Sequence, residues 1–249
     1  MKKIGKILLV FLMIFSAISS QKNVYAYNEP LRFELLPLVQ DTDVSSISNY
    51  ASTYSEDEAR NIIGQRLKKA YLNGDSEVSI EDLNLSKDKL SFVSFLRYYF
   101  PFISNGAELE RVSCRNNTLT KIYITNSMSI DETKKYFSAI DQEVSSIISL
   151  VSPSMDDEMK ALIIHDYFVN YCQYQMSDFN DDSYKSGGII YKKVGVCQAY
   201  AYAYQYILNQ LGIECFITSS STMNHAWNII EINHHYYHVD VTWDDPVYD

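Results

Sequence analysis

Three side chains in the last third of the chain could together break an amide bond. Cys197 lies in Gly195-Val196-Cys197-Gln198-Ala199-Tyr200-Ala201, His225 in Asn224-His225-Ala226-Trp227, and Asp240 in His238-Val239-Asp240-Val241-Thr242-Trp243. In that order a thiol, an imidazole and a carboxylate supply a nucleophile, a base and a group that orients the base.

Such chemistry requires elements that hold the three groups together. From Cys197 to Leu211 a helix is predicted, because Ala199, Ala203, Ile207 and Leu211 recur at four-residue spacing beside Tyr200, Tyr204 and Leu208, and Gly212 stops the run. A cysteine in the first turn of a helix faces unpaired N–H groups and the positive dipole end, both of which favour thiolate. The small residues Ala199, Ala201 and Ala203 suit a helix that neighbours approach closely. Two strands are then expected, His225 to Ile232 and His235 to Thr242, joined by the two-residue loop Asn233-His234. With that loop Trp227 opposes Asp240 and His225 opposes Thr242, so His225 and Asp240 are diagonal neighbours on one face. A slip of one residue would part them.

These segments resemble the transglutaminase-like core, a papain-like cysteine-enzyme superfamily, in the form found in bacterial secreted proteins. The resemblance rests on the Cys197 and His225 motifs already quoted, on Leu211-Gly212-Ile213-Glu214-Cys215, and on Tyr237-His238-Val239-Asp240-Val241-Thr242-Trp243-Asp244-Asp245-Pro246. His165-Asp166-Tyr167 with Tyr174 resembles the helix that precedes such a core. The likeness covers roughly Met155 to the end. It implies an α+β papain-like fold in which the nucleophile sits on a central helix packed against an antiparallel β-sheet. By the same likeness Cys197, His225 and Asp240 are nucleophile, base and orienting carboxylate of a cysteine peptidase or a transglutaminase, acting on protein or peptide amides through a thioester. A catalytically silent module of the same fold, binding wall polymers or partner proteins, is the rival expectation. Ala199 stands where the family often has glycine, and family members usually continue with further strands after the Trp-Asp-Asp-Pro element, so part of the sheet or one cleft wall is expected to be missing. Gln173 and Tyr174 are candidate side-chain donors to the oxyanion, beside the backbone N–H of Cys197.

Residues 1–26 read as a secretory signal peptide: Lys2, Lys3 and Lys6, an apolar run from Ile7 to Phe15, and a small-residue cleavage site at Val24-Tyr25-Ala26. The run is shorter than the ~20 residues a spanning helix needs, so no stable membrane span is expected after leader removal. No cysteine lies near the cleavage site. A secreted or cell-wall-associated protein follows. Losing the leader removes four lysines and no acid, so the formal charge of −10 becomes −14, which argues against nucleic acid or anionic lipid as partner. Residues 27–126 are expected to form an N-terminal α/β support region and 127–249 the catalytic core. In the former, Ser55-Glu56-Asp57-Glu58 opens a helix reaching about Leu72, with an apolar stripe of Ala59, Ile62, Ile63, Leu67, Ala70 and Tyr71. A hairpin is expected from Leu109 to Arg115 and Leu119 to Thr125 around Asn116-Asn117. Two helices follow, Asp131 to Leu150 and Asp156 to Asn170, the second capped by Ser154 with Asp157.

With Cys197 assigned to catalysis, Cys114, Cys172 and Cys215 are an odd number and no bridge is expected. The 21 tyrosines are read as amphipathic packing, and His165 as a satisfied core histidine. Neither a metal nor a cofactor is expected: His235 and His238 face opposite ways along a strand and His234 lies in the turn. Asp178, Asp181 and Asp182, ahead of Gly187-Gly188, read as a solvated acidic loop rather than a calcium site.

Overall fold

A computed structural model describes residues 54–245. The expected leader, residues 1–26, and Pro246 therefore lie outside the described residues. Helix α1 (Glu56–Asn73) begins at a capping box, with the Ser55 side chain and Glu58 satisfying each other's backbone N–H groups, and ends at Gly74 in the left-handed region. Its buried stripe is the one the apolar spacing predicts, with Ala59, Ile63, Leu67, Ala70 and Tyr71 inward. Short strand β1 (Glu77–Ser79) and helix α2 (Leu90–Tyr99) come next, then the expected hairpin, β2 (Ala107–Arg115) and β3 (Thr118–Asn126). Asn116 and Asn117 both have positive φ, which suits a two-residue turn between twisted strands. The three strands form an antiparallel sheet in the order β1-β3-β2.

Helix α3 (Ile130–Ile148) starts from a second capping box, Ser129 with Glu132. In α4 (Asp157–Tyr171) the cap is Asp156, whose carboxylate accepts from Met159 N at 2.8 Å; Ser154, expected to cap it, instead pairs with the Ser152 hydroxyl. Strands β4 (Gln173–Tyr174) and β5 (Val194–Gly195) form a small parallel pair. Helix α5 (Cys197–Gln210) follows, and then a second antiparallel sheet of β6 (Cys215–Ser220), β7 (His225–Ile232) and β8 (His235–Val239) in chain order. The β7–β8 register pairs Asn228 with Val239 and Ile232 with His235, which is the predicted register, and Asn233 and His234 both have positive φ as a two-residue loop demands.

Strand β8 was expected to run to Thr242 but stops at Val239. Asp240 leaves the ladder to cap a one-turn helix, α6 (Val241–Asp244).

Two apolar cores meet at α5. Residues of α1, α2, β2, β3 and α3 enclose one, and α4, α5 and the second sheet enclose the other. Tyr200 and Tyr204, four residues apart and hence on one helical face, enter the second core, whereas Tyr202 enters the first. Among the described residues no helix is long and apolar enough to cross a membrane.

Candidate active site

Backbone geometry ahead of α5 sets Cys197. Val196 is extended and is the residue before the helix; its N–H donates to Ser183 O at 3.0 Å and its carbonyl accepts from Tyr200 N at 3.1 Å. The Val196 side chain makes no capping bond to this end of α5. Gly195 is demanded by close approach: a Cβ there would lie 2.8 Å from the Ala199 Cβ and 3.1 Å from the Ile189 side chain. Cys197 itself is buried.

Strand β7 brings His225 to the thiol. Its inward row is Ala226, Asn228, Ile230 and Ile232, all buried. Asn228 is the polar member, and its amide donates to Ala201 O on α5 at 3.0 Å, which fixes strand against helix. That role was not foreseen. A single amide in an otherwise apolar inward row was the signal, since a buried polar group must find a partner.

His225 is buried, with its Nε2 2.7 Å from Asp240 Oδ2. Cys197 as well as Asp240 favours the protonated ring, and with Nε2 held by Asp240 it is Nδ1 that is left for a second partner. Burial alone would lower the imidazole pKa, but the hydrogen bonds and charges of Asp240 and Cys197 outweigh it and raise it from 6.5 to about 9. Asp240 also caps α6, its Oδ1 accepting from Trp243 N at 3.1 Å. Trp243 thereby stacks on His225 at 4.9 Å between centroids and 11° between planes, and Trp227 lies near-parallel at 5.8 Å and 16°. Trp227 Nε1 in turn donates to His238 Nδ1 at 2.8 Å. The structure thus pairs His225 with Asp240 and adds two indoles against the imidazole.

Cys197, His225 and Asp240 fall within the stretch, residues 146–241, that matches the family model described as the transglutaminase-like superfamily. These residues are a transglutaminase-like core. Its helices and antiparallel sheet are consistent with that fold. A solved structure titled "Crystal structure of a TGase" is similar at 14% identity with a TM-score of 0.37, over 55% of this chain and 45% of that one, so the chain spans less than half the length of that relative. No curated protein matches significantly.

Other candidates settle around the transglutaminase-like core. Gln173 and Tyr174 lie on β4, with Tyr174 paired to Gly195, two residues ahead of Cys197; Gln173 is exposed and Tyr174 half-buried. His165 is satisfied, though not by an apolar core. It bridges Asp166 Oδ1 at 3.0 Å and Asp244 Oδ2 at 3.1 Å, so it ties α4 to α6. Burial opposes its protonation, but the two carboxylates prevail and raise its pKa. Next to Asp244, Asp245 accepts a hydrogen bond from the buried Tyr200 hydroxyl of α5. The segment carrying Asp240 and Trp243 is therefore moored at three points.

His234, His235 and His238 diverge: His234 contacts Glu231 at 3.3 Å, His235 lies 2.8 Å from Asn233 O, and His238 serves Trp227. Among the described residues no group of three or more His, Cys, Asp or Glu could hold a metal ion. All four cysteines are buried free thiols; in Cys172 burial pushes the thiol pKa up to about 12, and in Cys215 it is raised still further.

The acidic stretch is not a solvated loop. Asp181–Tyr184 is a 3-10 turn, and both aspartates are engaged by Lys185, which is fully buried. The reason is tertiary: Glu108 on β2, 77 positions earlier, completes the ion cluster at 2.7 Å.

Proposed function

We propose that this chain is a thiol-dependent enzyme that transfers or hydrolyses acyl groups of protein or peptide amides, with Cys197 as nucleophile, His225 as general base and acid, and Asp240 as the orienting carboxylate. The observation that supports the reading is the His225–Asp240 pair at 2.7 Å, with the buried Cys197, at the start of a buried helix, among the influences on the imidazole. A raised imidazole pKa favours the imidazolium, the form that can protonate a departing amine.

In the reaction the Cys197 sulfur attacks the carbonyl carbon of a carboxamide. The resulting oxyanion accepts from the backbone N–H of Cys197, and the His225 proton passes to the departing amine, leaving a thioester. Attack by water, with His225 taking its proton, returns a carboxylic acid and makes the protein a peptidase or amidase. Attack by a lysine amine gives an isopeptide bond and makes it a transglutaminase. The leader-like residues 1–26 and the acidic composition support action outside the cytoplasm, at or beyond the cell wall, on protein rather than nucleic-acid partners.

The test offers a glutamine-containing peptide with and without a primary amine, for the wild type and for Cys197→Ala. Ammonia release without amine incorporation identifies hydrolysis, and incorporation identifies transamidation. Cys197→Ala should lose either activity while keeping its circular dichroism spectrum. Turnover that survives in Cys197→Ala, or a wild-type thiol that reacts no faster at pH 6 than an ordinary one, would sink the reading in favour of a binding module.

A further inference from the structure

Lys185 is fully buried, a costly place for an ammonium unless partners surround it. Its Nζ lies 2.7 Å from each carboxylate oxygen of Glu108 on β2, 2.9 Å from Asp181 and 3.6 Å from Asp182. The carboxylates prevail over burial and keep the lysine protonated, its pKa raised. Further ties join the same turn to the N-terminal region. Asn105 N donates to both oxygens of Asp182, at 3.2 and 3.1 Å, and the Ser186 hydroxyl donates to Tyr99 O at 2.7 Å. Gly187 is pressed so closely on Pro101 and Ser104 that a Cβ would collide with them.

What the turn does with its other side matters for chemistry. Ser183 O accepts from Val196 N, and Tyr184 O accepts from the Gln198 side chain at 3.4 Å. Val196 and Gln198 are the residues on either side of Cys197. An ion cluster anchored on β2 therefore ends, two hydrogen bonds later, on both neighbours of the thiol.

We propose that Lys185 is a positioning residue for Cys197: by clamping Glu108 to the Asp181–Tyr184 turn it makes the placement of the thiol against His225 conditional on the docked N-terminal region. The proposal rests on the catalytic reading above.

Two variants of the full chain, Lys185→Met and Glu108→Gln, test it with two readouts: hydrogen exchange at the Val196 amide, and the pH profile of Cys197 alkylation by iodoacetamide. The expected result is exchange faster by about tenfold at that amide, with β7 unchanged, and an alkylation rate at pH 6 lower by about tenfold, the profile moving toward that of an ordinary thiol. A merely structural role would lower the melting temperature and leave the profile in place. Should Lys185→Met fail to fold, Glu108→Gln, at a half-exposed carboxylate, gives the same comparison. Folded variants whose exchange or whose alkylation profile match the wild type would overturn the proposal. A wild-type profile with no reactivity at low pH would overturn the catalytic reading instead, and the exchange comparison would still decide whether Lys185 governs the turn.

Discussion

Replacing Asp240 by asparagine tests the site where its parts are most tightly linked. The carboxylate accepts twice, from His225 through Oδ2 and from Trp243 N through Oδ1. Asparagine has one acceptor oxygen. Trp243 N–H, a donor fixed by the α6 backbone, claims it, and the amide NH2 turns toward His225 Nε2. That nitrogen must then give up its proton, so the proton sits on Nδ1, the nitrogen that has to receive the one from Cys197. The electrostatic loss adds to the tautomer error. Asp240 is the foremost of the influences that raise the His225 pKa from 6.5 to about 9, a rise corresponding to about 3 kcal/mol in favour of imidazolium. Losing most of it should slow Cys197 alkylation near pH 6.5 by roughly a hundredfold. Iodoacetamide labelling of Cys197 between pH 4 and 10, followed by mass spectrometry, reads this directly, with near-ultraviolet dichroism to show that the tryptophans stay packed. A folded Asp240→Asn protein that labels within about threefold of the wild type at every pH would refute the argument. Stability carries the same signature. A histidine whose pKa is raised by folding stabilises fully below its unfolded pKa of about 6.5, and the contribution fades as pH climbs through about 9. Asp240→Asn should flatten that fall.

His165→Phe should break the tie between α4 and α6; because Asp166 and Asp244 are half-exposed and screened, the loss is about 1 kcal/mol, present near pH 6 and shrinking as pH rises through the elevated His165 pKa, as urea melts at pH 6 and 9 would show. His234→Gly should raise stability by about 1 kcal/mol by relieving a left-handed backbone at an exposed turn residue, and a lower urea midpoint would mean that the His234–Glu231 contact outweighs the strain.

What could be read from sequence was local. The capping box at Ser55, the apolar stripe of α1 and the β7–β8 register all follow from spacing within a few residues, and each is in place. The transglutaminase-like core was legible because its motifs recur in order. Helix α2 was not read from sequence: Leu90–Tyr99 is short and apolar or aromatic at most positions, a run that spacing alone does not tell from a buried strand. Asp240 reads as a strand residue because Val239 and Val241 favour strand, and only its capping bond to Trp243 N turns the chain. Lys185 was invisible for a different reason. Its partner Glu108 stands 77 positions away, and nothing in a run of nearby aspartates tells a solvated loop from half of a buried ion cluster.

Tyrosines at every second position of α5 have a consequence for how the molecule comes apart. Tyr200 and Tyr204 are embedded in one core and Tyr202 in the other, with Tyr206 bordering both. A helix that is a wall of two rooms cannot be removed from either without opening the other. Melting of the N-terminal core strips Tyr202 of its packing against Tyr98, 5.7 Å away, and so loosens the helix that begins at Cys197. The two cores are thus one cooperative unit, and the thiol stands at the end of the element on which that cooperativity depends.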